Sequence, residues 1–197
     1  MDALEWLASA ARIALALYIG AAAVAKVLDG PEMVRMSVAD FTFVPRAGVD
    51  ALAYALVACE VSVSLGLLVG PADAAAVLTA LLMIAFAAGA CSEILRGRRH
   101  DCGCFGALSA RPIGWSLVLE DAVIGSAAVL VALHPGVTQG TVLQALGSGL
   151  EGALAAVAGV AMFLALLLWS ESDANAASFR QWLDTYTSAA VALDQRR

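Results

Sequence analysis

The sequence predicts an all-α integral membrane protein, and three observations carry that prediction. Hydrophobic residues make up 61% of the chain and charged residues 14%, against about half and about a quarter in an ordinary soluble domain. Mean hydropathy is +0.85. Five stretches reach the roughly 20 apolar residues that a helix needs to cross the hydrocarbon core. Each is apolar all round, whereas the helices of a soluble bundle carry one apolar stripe. Backbone groups in lipid find no water to bond, so each span is expected to be a helix.

The first span runs from about Leu4 to Leu28, with Arg12 and Lys26 inside it. Asp2 and Glu5 stand where a cleavable signal would carry basic residues, so the expectation is a retained span. Between Gly30 and Pro45, Met33, Val34, Val38 and Phe41 recur at helical spacing, which predicts a short interfacial amphipathic helix over about 31–43. The second span runs from about Ala47 to Val69 and holds Glu60 near its middle. Gly70-Pro71 predicts a tight turn. The third span follows antiparallel, from about Ala72 to Leu95, with Cys91 and Glu93 near its end. Pro112 suits a first helical turn, and the fourth span, about Ile113 to Leu133, carries Glu120 and Asp121. His134-Pro135-Gly136 ends it. The fifth span runs from about Leu146 to Trp169. After it, Phe179, Trp182, Leu183, Tyr186 and Ala190 fall on one stripe and predict a second interfacial helix over about 178–193, with a frayed polar tail as the alternative. Trp6, Trp115 and Trp169 fall at span ends, where an aromatic belt belongs. With no internal repeat or low-complexity linker, the chain reads as one domain.

Charge sets orientation and excludes one partner class. A net charge of −6, with no basic stripe interleaved with aromatics, argues against nucleic acid. With five spans, Lys26, Arg35, Arg46, Arg96, Arg98, Arg99, Arg111, Arg180, Arg196 and Arg197 lie at or beyond one face, and Arg12 lies nearer the other. Positive residues stay inside. The expected topology in the cell membrane is therefore N-terminus outside, with the loop between spans three and four and the C-terminus in the cytoplasm.

That loop, Arg98-Arg99-His100-Asp101-Cys102-Gly103-Cys104-Phe105-Gly106, is where chemistry is expected. Arg98, Arg99 and a protonated His100 favour a thiolate, and Asp101 opposes it. Gly103 permits the bend that a bond between cysteines two apart requires, and such a bond is expected to be readily reduced. Metal binding is the rival, with Cys91 or His100 joining the two thiolates around Cu(I) or Zn. Two unreactive loop thiols are the bland alternative. Cys91 lies about 6 Å from the same face, so Cys91, Cys102 and Cys104 form a candidate three-thiol cluster. Cys59, deeper in the second span, reads as an inert apolar residue.

Inside the membrane, an ionisable residue is expected to face a partner. Arg12 lies about eight residues, and Glu60 about nine, from the outer ends of their spans, within a few Å of each other in depth. The expectation is an Arg12–Glu60 ion pair facing the bundle interior. Lys26, Glu93, Glu120 and Asp121 lie within about two turns of the cytoplasmic face. Lys26 is a candidate partner for one of these carboxylates, with snorkelling to solvent the alternative, favoured for Glu93. Glu120 and Asp121 are adjacent and are not expected to face inward equally. No P-loop, dinucleotide fingerprint, His-Glu-x-x-His or nucleophile elbow is present.

Several of these pieces together resemble the MauE family. They are Arg12, Ala25-Lys26-Val27-Leu28, Val44-Pro45, Glu60, Asp101-Cys102-Gly103-Cys104-Phe105-Gly106 and Pro112-Ile113-Gly114-Trp115. The resemblance covers about Ala8 to Leu133, and the Cys-Gly-Cys-Phe-Gly motif is its most specific part. Where the family commonly has Arg-Asn or Arg-Asp, this chain has Glu120-Asp121, so no role carries over to Glu120. The resemblance implies a DoxX-like four-helix transmembrane bundle, here with a fifth span and short interfacial helices. It also implies maturation of a disulfide-containing client protein beside a thioredoxin-like partner, with a quinone as an electron acceptor. On this reading Cys102, Cys104 and Cys91 exchange electrons, and Lys26, Arg12, Glu60 and Asp121 line a cofactor pocket. A membrane assembly factor or Cu/Zn-binding protein using the same cysteines is the alternative. A small-solute transporter ranks last, because paired broken helices are missing.

Overall fold

The structure, a computed structural model, describes residues 2–41, 43–70, 72–98, 100–106, 111–138, 141, 142, 144, 147 and 149–194. Among the described residues the bounded α-helices are, in chain order, α1 (Ala3–Asp29), α2 (Pro31–Ala39), α3 (Val49–Val69), α4 (Ala72–Leu95), α5 (Trp115–Ala132), α6 (Pro135–Thr138) and α7 (Leu150–Asp194). A 3₁₀ turn at Arg46–Gly48 leads into α3. Five of these elements are long and apolar enough to cross a membrane: α1, α3 with its preceding turn, α4, α5 and Leu150–Ser172 of α7. The chain is an all-α membrane protein, and the four expected spans from 4 to 133 match these helices within two residues at each end.

α1 is the central helix. Its most apolar stretch is 67% buried, against 17% for that of α7. The reason lies in residue size. Ala8, Ala10, Ala11, Ala14, Ala16, Ala22, Ala23 and Ala25 are all buried, and small side chains let helices approach closely where water cannot drive them together. Ser64 of α3 comes near enough to donate to the Ala16 carbonyl at 2.9 Å. Gly159 of α7 lies against Ala10 and Ile13, where an added methyl group would have no room. α5 packs mainly on α4 and also touches α1. Large apolar side chains such as Leu65, Leu81, Ile84, Val157 and Leu168 remain exposed on the outside, which suits a lipid-facing surface. The start of α1 is fixed by a capping box: Glu5 N–H donates to Asp2 at 2.7 Å and Asp2 N–H to Glu5 at 3.2 Å. The Asp-x-x-Glu spacing carried that signal.

The chain ends of α1, α4 and α7's spanning part, and the starts of α2, α3 and α5, share one face with the Cys-Gly-Cys loop. α2 lies across this face. Its Val34 and Val38 pack on Val49 and Ala53 of α3, while Met33 and Met36 stay exposed. Arg35 binds Asp50 at 2.7 Å and Glu32 at 3.1 Å. Asp50 above all, then Glu32, raises the Arg35 pKa and keeps the guanidinium charged. The predicted interfacial helix exists, and it ends at Ala39 rather than near 43.

The C-terminal expectation needs correction. There is no break between a fifth span and a separate interfacial helix; α7 runs unbroken for 45 residues. That is about 67 Å, more than twice the hydrocarbon thickness. Residues 170–177 contain no Gly or Pro, and three are Ala, so nothing in the joining segment stops the helix. The side chains of Arg180, Trp182, Leu183, Tyr186 and Ala190 lie outside the described residues, as do Pro71, Arg99, Leu146, Arg196 and Arg197.

Candidate functional site

The Cys-Gly-Cys loop folds back on itself between α4 and α5. Cys102 N–H donates to the Arg111 carbonyl at 2.8 Å, and Ile113 N–H to the His100 carbonyl at 2.9 Å, closing a short antiparallel bridge between Asp101 and Pro112. At its tip Cys102 and Cys104 form a disulfide, their Cα atoms 5.4 Å apart. The chain reverses there because Gly103 and Gly106 take φ of 68° and 56°, values that an L side chain strains to adopt. Phe105 then points into the bundle, 7% exposed. It meets Tyr18 of α1 edge to face, with ring centres 5.0 Å apart.

Both glycines are also hemmed in. A methyl group at Gly103 would collide with Ser37 of α2, and one at Gly106 with the Asp29 carboxylate. Gly97 has a similar φ of 70° and open space around it. Left-handed backbone costs about 1–2 kcal/mol for a non-glycine residue, and forced repacking about 1–3 kcal/mol more. Gly103→Ala, where the Cβ of Ser37 blocks the added methyl group, is therefore expected to lower stability by about 2–4 kcal/mol, and Gly97→Ala by only about 1 kcal/mol. Equilibrium unfolding in mixed micelles checks this, and equal losses at the two positions would disprove the packing argument.

Glu93 anchors the near end of the loop. It is fully buried, so solvation at the helix end, the favoured reading from sequence, is incorrect. Arg98 Nε reaches its carboxylate at 3.0 Å, His100 Nε2 at 3.6 Å and Arg96 at 3.7 Å. The loop turns back just after α4 ends, and that return brings its own cations over Glu93. His100 also stacks edge-on against Phe41.

The floor of the loop is a polar core, and its pairing differs from the predicted one. Glu60 pairs with Lys26, not with Arg12. Lys26 Nζ donates to the two Glu60 oxygens at 2.8 and 3.0 Å and to the Cys104 carbonyl. Its three protons thus have three acceptors. Arg12 instead donates to the Leu67 carbonyl at 2.6 Å, the Gly70 carbonyl at 3.1 Å and the Val137 carbonyl. Direction explains the exchange. Side chains lean toward the N-terminus of their own helix. On α1 that carries Arg12 away from Glu60, toward the C-terminal end of α3, where carbonyls lack helical partners. Lys26 on α1 leans deeper while Glu60 on α3 leans toward the loop, and the two meet. Equal Cα depth was the wrong criterion.

A second buried pair was not foreseen. Arg111 Nη1 donates to Glu120, and Tyr18 OH donates to the other Glu120 oxygen. Arg111 also reaches Ser116 and Ser170, both at 3.3 Å. Sequence counted Arg111 among loop charges and left Tyr18 unremarked; the signal available was a carboxylate in the fourth span with no cation assigned to it. Glu120 and Asp121 are both buried, at 2% and 6% exposure, against the expectation of unequal facing. α5 is covered by α4 on one side and α1 on another, so two positions 100° apart both find cover. Among the described residues, Asp121 Oδ2 has no hydrogen-bond partner.

The disulfide stands between two cavities. The inner one is lined by Tyr18, Glu60, Cys102, Cys104, Arg111 and Asp121, among others. The outer one lies under α2, between Val34, Ser37, Phe41, Gly89 and the two cysteines. Cys91 is a half-buried free thiol that lines neither cavity. Cys102 and Cys104 pack against a cluster made of its neighbour Ala90 with Ile113 and Leu117, one helical step of about 100° from Cys91, and they bond to each other while Cys91 stays free. Cys59 is also free and packs against the central core. Among the described residues, no three His, Cys, Asp or Glu side chains group as a metal site requires.

Five apolar helices holding a cysteine loop over a buried ion-pair core define a multi-pass membrane protein with its Cys-Gly-Cys loop at one mouth of the bundle. The family model described as methylamine utilisation protein MauE matches residues 4–134. The methylamine utilization protein MauE of Paracoccus denitrificans is 36% identical over 172 residues, covering 86% of this chain and 90% of that protein. The chain belongs to the MauE family. No solved structure matches it.

Proposed function

We propose that this protein is a membrane thiol–disulfide exchange protein serving methylamine utilisation, with Cys102 and Cys104 as its redox pair. The single observation that carries the reading is the position of that pair, bonded at the tip of a braced loop with a polar cavity on one side and α2 on the other. The client is a protein whose disulfides must form, reached directly or through a thioredoxin-like protein. A client thiolate attacks one sulfur, a mixed disulfide forms, and the second client thiol resolves it. The client leaves oxidised and the loop leaves as two thiols.

The loop has to be reoxidised, and a quinone dissolved in the bilayer fits the inner cavity's chemistry. Ile19, Leu82, Met83 and Phe86 would receive its ring, and Asp121 Oδ2 and Arg111 offer polar contacts. When bound, the quinone supplies two-electron acceptor chemistry. The orientation proposed for the chain keeps the N-terminus outside and the loop in the cytoplasm of the cell membrane, on the basis of its Lys and Arg distribution. A reducing compartment holds exposed thiols reduced by default, so burial against α2 protects the oxidised loop.

The test is the pair of variants Cys102→Ser and Cys104→Ser in a host that depends on the protein. Each is expected to abolish thiol exchange and client maturation. Survival of both activities in the double variant removes the redox reading.

A further inference from the structure

We infer that Asp121 supplies the proton that the inner sulfur of the Cys102–Cys104 bond takes up when that bond is reduced. The inference rests on the exchange reading above and assigns a proton path to the same site. It begins from an asymmetry between the sulfurs. Both cysteines line the inner cavity and pack against the smaller cluster near Ile113, but Cys104 alone also packs against the central core that holds Tyr18 and Phe105. Attack by an incoming thiolate is therefore at Cys102, and Cys104 is the leaving sulfur. It is released as a thiolate into a partly enclosed cavity walled by Ile19, Leu82, Met83 and Phe86 as well as polar groups, where an unneutralised charge is costly.

Every other titratable group lining that cavity is committed. From α1, Tyr18 OH is held by Glu120. From α3, both Glu60 oxygens accept from Lys26, whose third proton goes to the Cys104 carbonyl. From the loop, Arg111 binds Glu120, and a guanidinium does not give up a proton in a protein. Of the lining residues, α4 contributes only Leu82, Met83 and Phe86, and α7 only Ser170. Glu120, next to Asp121 on α5, is occupied on both oxygens. Asp121 is 6% exposed, lines the cavity and keeps one oxygen without a partner. A carboxyl there has a proton to give and nothing else to hold it.

The step balances. A partner dithiol provides the electrons. Its first thiolate, having released its proton to solvent, bonds to the Cys102 sulfur as the bond to Cys104 breaks. The electron pair stays on the Cys104 sulfur, which takes the Asp121 proton. The second partner thiolate attacks the mixed disulfide, and the Cys102 sulfur leaves and is protonated from solvent. Asp121 regains its proton from the loop face. The partner has become a disulfide, the loop two thiols, and two protons have left and two have arrived.

The experiment uses the full chain in nanodiscs, reduced with dithiothreitol from pH 5.5 to 9. The bond is followed by acid quench and a bulky maleimide. Rates are divided by the dithiothreitol thiolate fraction. The wild type is expected to show a limb that falls as pH rises and Asp121 loses its proton. Asp121→Asn is expected to remove the limb and to slow reduction at low pH by about 100-fold, the scale of a lost general acid. Asp121→Glu is expected to keep a limb, displaced in pH, which shows that the carboxyl and not the fold is at issue. A limb that persists in Asp121→Asn, whether or not all rates fall by one factor, overturns the assignment of Asp121 and leaves the exchange reading standing. A wild-type bond inert to dithiothreitol overturns both.

Discussion

Replacing Glu60 with Gln is expected to destabilise the protein by about 3–5 kcal/mol, the usual cost of leaving one member of a buried ion pair alone. Lys26 and Glu60 side chains are only 4% and 3% exposed, so solvent screens neither. Lys26→Met should cost a similar amount and do something more. It frees the Cys104 carbonyl as well as Glu60, so the loop loses its inner tether. The double variant Lys26→Met with Glu60→Leu should recover most of the lost stability, because an apolar pair of similar volume often replaces a buried ion pair at little cost. It should not recover the tether. Unfolding followed by tryptophan fluorescence reads the stability part, and the rate of Cys102–Cys104 reduction reads the tether. If the double variant reduces at the wild-type rate, Lys26 holds α1 to α3 and has no hold on the loop.

Arg111→Met is expected to be comparably severe, again about 3–5 kcal/mol, because Glu120 is left buried with only the Tyr18 hydroxyl. Arg111→Lys should rescue only partly. The guanidinium contacts Glu120, Ser116 and Ser170 at once, a planar fork that an ammonium does not reproduce. Ser170→Ala, by contrast, should cost no more than about 1.5 kcal/mol, the low end for a hydrogen bond to a charged group, because the contact from Arg111 is long at 3.3 Å. The same unfolding assay ranks the three. A loss for Arg111→Met below that for Ser170→Ala would show that Glu120 has another partner in the folded state.

These two pairs mark where the sequence stopped being legible. It singled out Lys26, Glu60, Arg12 and Asp121 as polar residues within the spans, and all four are buried. Partner choice needed more than depth. Arg12 and Glu60 match in height, yet side-chain lean sends one toward the end of α3 and the other toward the loop. Arg111 looked like one more cation at a membrane face. Only the bridge between Asp101 and Pro112, which turns the loop inward, brings it onto Glu120. Glu93 was misread for the same reason, since the cations that bury it arrive only when the loop folds back.

By itself, then, the sequence determined what lipid dictates. Spans, their boundaries and the α2 amphipathic helix follow from local hydropathy and turn residues, because a segment in a bilayer must satisfy its own backbone whatever its neighbours do. The Cys-Gly-Cys turn was likewise written in Gly103, since only its conformational freedom allows so short a closure. The C-terminal helix was the exception: a span and a separate helix were expected, although no Gly or Pro lies between Ser170 and Ala177 to break it. What tertiary structure alone decided is which charge meets which, and that Cys104 reaches the central core while Cys102 does not. Those outcomes depend on directions across helices far apart in the chain, and no local pattern encodes a direction in space.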